Sequence, residues 1–250
     1  MSDGSLTGKT VLITGGARRV GAEVARLLHA AGANLVIHYR RSSREAAALA
    51  GELNAARGRS AAIVAGELLD IDELPSLVEF AVRSFGALDV LINNASTFYP
   101  TKIGEITPAA WDDLLGTNLK VPTFLSQAAA PALRRTQGCI VNITDIHAER
   151  PLKSYVVYSI AKAGLVGLTR SLARELAPDV RVNAVAPGPI LWPDEEVFDE
   201  LARQRIISHT PLRREGSPDD VAKAVLYLLA DAPYVTGETL NVDGGRHIAM

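Results

Sequence analysis

The chain has 250 residues, 48% of them hydrophobic, and a formal charge of −2 at neutral pH. That is enough apolar material for a sizeable core in one large domain or two small ones, and the charge balance argues against a general nucleic-acid binder. The N-terminal MSDGSLTGKT carries no apolar signal region and no apolar run of about 18 residues follows, so a secreted or membrane-spanning protein is not expected.

Short β-branched runs alternate with stretches of helical period. Strands are expected at 10–14, 34–39, 60–65, 87–94, 139–144, 180–186 and 238–242. Helices are expected near 20–31, 43–57, 72–85, 109–134, 155–177 and 217–231. Apolar strands interleaved with helices make βαβ units and a buried parallel sheet. Right-handed crossovers then give an α/β, Rossmann-like, doubly wound sheet of about seven strands with helices on both faces. No repeat, low-complexity tract or linker interrupts the chain, so a single domain over 1–250 is expected. The segment 188–216 breaks the alternation, carries Pro189 and Pro193 and follows a strand end, which suits a lid over a site. The lone cysteine, Cys139 in the apolar CIVNI, is expected in the core of a protein kept in a reducing, cytoplasmic setting.

The first strand runs into TGGARRVG. A turn there places backbone N–H groups and a helix N-terminus at a crevice that suits a pyrophosphate. Gly15 allows the tight turn and Gly21 the close packing of helix on strand. Arg19 stands where an inner glycine is usual. The second strand ends in HYRRSSRE. NAD-selective folds place an acid about 20 residues on, to hold the ribose 2′-hydroxyl. Here Arg40, Arg41 and Ser42 occupy that place, with Arg18 and Arg19 nearby in the fold. Arginines bind phosphate through charged, paired hydrogen bonds, so NADP(H) is expected rather than NAD(H). A solvated basic loop is the plain alternative.

In YSIAK, Tyr158 and Lys162 are four apart and share a helix face. An adjacent ammonium favours phenolate and is expected to lower the Tyr158 pKa from about 10 toward neutrality, making it a proton donor or acceptor. Tyr155 has Ser159 at the matching position and lacks such a partner.

TGGARRVG, LINNAS, the Tyr158/Lys162 pair and VNAVAPGP occur in order, and over nearly the whole chain they resemble the short-chain dehydrogenase/reductase family. The resemblance implies that Asn94 and Ala95 line the cofactor and that Asn118 helps to hold a proton-relay water. It puts Pro187 and Gly188 beside the nicotinamide carboxamide and Glu67 beside the adenine, and counts Val20, Tyr39, Leu68 and Ile190 among the cofactor-binding residues. Lys162 would bind the nicotinamide ribose. Members usually form tetramers through the helices at 109–134 and 155–177, with C-termini near a neighbour's site, so a homotetramer is expected.

The family's catalytic serine lies thirteen residues before the tyrosine. Here that position is Asp145, within Thr-Asp-Ile-His, and no serine is in register. A serine hydroxyl donates to a carbonyl oxygen, whereas a carboxyl group can protonate a ring nitrogen or anchor an amino-bearing heterocycle. The pteridine reductase subgroup, with the related dihydromonapterin reductases, carries this aspartate. Arg19 in the turn, the HYRRS loop (His38, Arg41 and Ser42), NNASTFYPT and VDGGRH resemble the same subgroup. By that resemblance a pterin stacks between nicotinamide and Phe98, and Ser96 touches its edge. Trp192, an aromatic in the lid segment, either covers the substrate or anchors the lid to the core.

The expected reaction is hydride transfer from NADPH to a pterin ring carbon, with Tyr158 and Asp145 delivering the proton to the adjacent nitrogen. The alternatives are a carbonyl reductase of the same family, acting on a 3-oxoacyl thioester, sugar or steroid, and a non-catalytic NADPH sensor. His147 is expected to be structural. His209 and His247 have no metal-like spacing, and no metal is expected.

Overall fold

In the computed structural model, which describes residues 5–192 and 198–249, seven parallel strands form one sheet in the order β3-β2-β1-β4-β5-β6-β7. They are β1 (Thr10–Ile13), β2 (Asn34–Tyr39), β3 (Ala61–Ala65), β4 (Val90–Asn93), β5 (Cys139–Ile143), β6 (Arg181–Pro187) and β7 (Thr239–Val242). The helices are α1 (Arg19–Ala30), α2 (Ser43–Ala56), α3 (Leu74–Phe85), α4 (Pro108–Leu115), α5 (Val121–Thr136), α6 (Val156–Leu176), α7 (Glu200–Ser208), α8 (Pro218–Ala230) and α9 (Arg246–Ala249).

The central strands are mostly apolar, Asn93, Asn142 and Asn183 apart, because both faces are covered. Successive side chains point to opposite faces, so Val11, Ile13, Leu35 and Ile37 enter one core while Leu12 and Val36 enter the other. Cys139 is buried in the first of these, and burial pushes its thiol up to about 11, far from a reactive thiolate. Helix ends are set by local chemistry. Ser217 and Asp220 form a reciprocal capping box at the start of α8, and Gly86 closes α3 in the left-handed conformation.

The expected helix over 109–134 is broken. Between α4 and α5 the turns widen into a π-helical stretch at Gly116–Lys120. Asn118 Nδ2 donates to Leu114 O at 2.9 Å, taking a carbonyl of the preceding turn, and Pro122 has no N–H to return to residue 118. The expected lid contains a helix that was not anticipated, α7, capped by Asp199 Oδ1 on the Ala202 amide at 2.7 Å. Residues 193–197 of that segment, Pro193 included, lie outside the described residues.

Strand order reverses between β1 and β4, whose neighbours run to opposite edges of the sheet. Crevices at the carboxyl ends of such strands are the ligand sites of open α/β sheets. Gly15, Asn94 and Asp145 all follow strand ends there.

Candidate active site

Asp145 follows β5 with extended backbone and caps the short turn Ile146–Ala148. Its Oδ1 accepts from the His147 amide at 2.8 Å. Its Oδ2 accepts from the Tyr158 hydroxyl at 2.7 Å. The carboxylate is therefore held at both oxygens, one by backbone and one by the phenol.

Tyr158 and Lys162 lie one turn apart on α6 and both are buried. The Lys162 ammonium donates to Ile143 O at 3.0 Å and sits 5.7 Å from the centre of the Tyr158 ring. That position corrects the expectation of a lowered phenol pKa. Burial first, then the Asp145 charge and hydrogen bond, raise Tyr158 well above its ordinary value, and Ser96 opposes them weakly. Lys162 is itself drawn down to about 8 by burial, with Asp145 opposing. The proton thus stays on the phenol, the form a proton donor needs.

A cavity of about 510 Å³ runs from this pair to the end of β2. Gly15, Val20, Asn94, Ala95 and Ser96 line its middle, and Tyr39, Arg40, Arg41, Ser42, Glu67 and Leu68 its far end. Gly15 has φ +59°. A Cβ on Gly21 would meet Asn94 Nδ2 and Gly15 O, each at 2.7 Å. Asn94 Nδ2 donates to Thr14 O at 2.9 Å and Gly15 O at 3.0 Å, tying the end of β4 to the turn. Arg40 lies 3.8 Å from Glu67, and Arg41 has no ionic partner among the described residues. A glycine turn with no room for a side chain at Gly21, and a rim that carries Arg40 and Arg41, fit a dinucleotide.

Two residues expected on the cofactor are used by the protein itself. His38 is buried, its Nδ1 accepting from the Gly15 amide at 3.2 Å and its Nε2 donating to Gly66 O at 3.1 Å. These partners assign the tautomer, and burial lowers the His38 pKa. The ring is a strut that holds the glycine turn. Arg19 has φ +55°, a left-handed backbone that costs a non-glycine residue about 1–2 kcal/mol. Its guanidinium donates to Leu191 O at 3.1 Å and Trp192 O at 2.9 Å, joining the turn to the segment after β6.

A second cavity of about 640 Å³ meets the first at Asp145, Tyr158 and Ser96. Phe98, Gly188, Ile190 and Trp192 line it, whereas Pro187 ends β6 and borders neither cavity. Phe98 stacks on Tyr155 with centroids 4.5 Å apart and meets the Tyr158 ring edge-on at 4.8 Å. Tyr155, set aside on the sequence for want of a lysine, is the platform behind Phe98. Its only sequence signal was its place one turn before Tyr158. Trp192 Nε1 donates to Glu215 at 2.7 Å and its ring packs 5.7 Å from Phe198, so it anchors this segment as well as lining the cavity. Ser96 Oγ donates to Asn118 Oδ1 at 2.6 Å, and Asn118 Nδ2 also reaches Thr97 O at 3.0 Å.

Among the described residues no group of three or more His, Cys, Asp or Glu side chains is arranged to hold a metal, and no helix is long and apolar enough to cross a membrane.

Residues 15–247 match a family model described as enoyl-(acyl carrier protein) reductase. The 3-oxoacyl-(acyl-carrier-protein) reductase FabG of Staphylococcus aureus is 34% identical over 96% of this chain and 98% of its own length. Pteridine reductase 1 of Leishmania tarentolae is 36% identical over 96% of this chain and 97% of its own. A solved structure of a mutant Serratia marcescens short-chain dehydrogenase/reductase superposes with a TM-score of 0.91 at 33% identity, covering 97% of this chain and 99% of that one. Together with the single seven-stranded parallel domain and the buried tyrosine–lysine pair, these matches make the chain an oxidoreductase of the short-chain dehydrogenase/reductase family.

Proposed function

We propose that the protein reduces a pterin ring with NADPH, taking a dihydropterin to the tetrahydro form. One observation carries this reading: an acid, Asp145, occupies the serine register and is bonded at 2.7 Å to Tyr158 where the two cavities meet. The similarity to pteridine reductase 1 of Leishmania tarentolae supports it.

When bound, NADPH supplies the hydride. Gly15, Val20, Asn94 and Ala95 would cradle its pyrophosphate and nicotinamide ribose, with Lys162 beside that ribose. Arg40, Arg41 and Ser42 would take the 2′-phosphate, Glu67 and Leu68 would flank the adenine, and Gly188 would lie beside the carboxamide. Phe98, braced from behind by Tyr155, offers a flat apolar wall for an aromatic bicycle, worth on the order of 1 kcal/mol beyond area burial. Tyr158 and Asp145 share one proton along their hydrogen bond and deliver it to the ring nitrogen next to the reduced carbon. Holding substrate against this wall supplies rate through orientation. Trp192 and the described parts of 188–216 would close the cavity from above.

A second reading is reduction of a 3-oxoacyl thioester, favoured by the 34% identity to a 3-oxoacyl reductase across the whole chain. Against it stands the absence of a serine hydroxyl in register. NADPH oxidation with dihydrobiopterin, dihydrofolate and a 3-oxoacyl thioester, assayed side by side, tests the proposal. Turnover of the pterins well above that of the thioester is expected; turnover of the thioester alone would refute it. We also propose a cytoplasmic location and a homotetramer, the assembly supported by Trp111, Phe124 and Ile160, which α4, α5 and α6 leave exposed.

A further inference from the structure

One group on the second cavity is used neither by hydride transfer nor by ring protonation. Gly244 and Gly245, at φ +64° and +83°, turn the chain back after β7. A Cβ on Gly244 would lie 2.9 Å from Thr210 Cγ2, so the turn packs against the segment after α7. Arg246 follows, half-buried, and lines the cavity with Ile206, to whose carbonyl it donates at 3.0 Å.

That guanidinium has no carboxylate partner among the described residues. Asp243 is the nearby acid, but its oxygens are committed. Oδ2 accepts from the His247 amide and Nδ1, each at 2.7 Å, and Oδ1 from the Gly245 amide at 2.9 Å. Asp145 is the only acid among the described lining residues, and its oxygens accept from Tyr158 and the His147 amide. Leu191, Trp192 and Phe198 supply apolar wall. A partly desolvated guanidinium facing apolar wall is unfavourable unless an anion pairs with it. Its planar fork suits carboxylate and phosphate. A volume of about 640 Å³ also exceeds what a bare bicycle fills.

We infer that the Arg246 end of this cavity is a subsite for an anionic arm, a carboxylate or phosphate tethered to the group being reduced. The inference rests on the proposed reading that substrate reacts at Asp145 and Tyr158. Such an anion could come from an amino-acid tail on a pterin or from the phosphates of a thioester carrier.

Two matched pairs distinguish these sources. Dihydrofolate, with its charged tail, is compared with dihydrobiopterin. Acetoacetyl-coenzyme A is compared with the acetoacetyl thioester of N-acetylcysteamine. Each is assayed by NADPH oxidation in wild type, Arg246→Ala and Arg246→Lys. In Arg246→Ala the charged-to-neutral ratio of kcat/KM should fall about tenfold, through KM, and Arg246→Lys should recover part of it. If both pterins react and the ratio does not move, the subsite is refuted and the pterin reading survives. If only the thioesters react and their ratio falls, the subsite survives and the pterin reading is refuted. Turnover of neither pair refutes both.

Discussion

The Tyr158 hydroxyl stands 2.7 Å from the Asp145 carboxylate, and that carboxylate is held from its other oxygen by the His147 amide. A serine at this position has one oxygen and could not be clamped in this way. The geometry makes the pair one proton-holding unit at the mouth of two cavities.

Removing either member should therefore disable chemistry without emptying the cofactor cavity. Asp145→Asn and Tyr158→Phe are each expected to lower turnover of dihydrobiopterin about 100-fold or more, the contribution of a positioned acid. NADPH affinity, measured by fluorescence titration, should hardly change. Wild-type turnover in both variants would contradict the assignment.

Cofactor choice should depend on Arg41, which has no competing ionic partner among the described residues. A charged hydrogen bond to phosphate is worth about 1.5–3 kcal/mol. Arg41→Ala should cut the preference for NADPH over NADH by roughly 10- to 100-fold. An unchanged ratio of the two kcat/KM values would place the phosphate elsewhere.

Burial draws the Lys162 ammonium down to about 8, against about 10.4 in the unfolded chain. Between those values the unfolded state holds the extra proton, so the lysine's contribution to stability rises with pH across that window. Below it the buried charge is a constant cost, on the order of 3 kcal/mol. Lys162→Met should raise the Tm of the cofactor-free protein at pH 7 while abolishing activity, and the gain should shrink as pH approaches about 10. Thermal melts across that range check this; a lower Tm at pH 7 would count against it.

His38 is lowered by burial and is neutral while it accepts the Gly15 amide. On acidification the unfolded imidazole takes its proton first, near pH 6.5, so folding stability falls below that value. The fall should be shallower in His38→Gln than in wild type. Parallel stability curves would show that the ring does not act as this strut.

Gly21→Ala places a methyl 2.7 Å from both Asn94 Nδ2 and Gly15 O. Overpacking of this kind costs about 1–3 kcal/mol, and it falls on the turn that would face the pyrophosphate. A lower Tm together with weaker NADPH binding is expected; calorimetry and titration report the two separately.

Much of this arrangement was legible in the sequence. Strands expected at 34–39 and 139–144 are found at Asn34–Tyr39 and Cys139–Ile143, because short, mostly apolar runs with β-branched residues flanked by helices have few other ways to be buried. Asp145 was legible because it is counted from Tyr158. What was illegible depends on side chains bonding to backbone. Apolar periodicity does not register the bond from Asn118 to Leu114 O that opens the helix after α4. Helix α7 buries none of its residues, so it shows no apolar stripe. The four-residue spacing placed Lys162 beside Tyr158 but not at its hydroxyl, since Ile143 O, at the end of β5, claims the ammonium. His38 resembled a cofactor contact, yet both ring nitrogens go to backbone atoms far apart in sequence.

The most direct test of the central claim is a crystal structure of the protein with NADP⁺ and biopterin bound. The account predicts the Asp145 carboxylate within hydrogen-bond reach of a ring nitrogen, directly or through one water, with Tyr158 on the same path. A pterin seated with that carboxylate turned away and linked to it by no solvent molecule would contradict it.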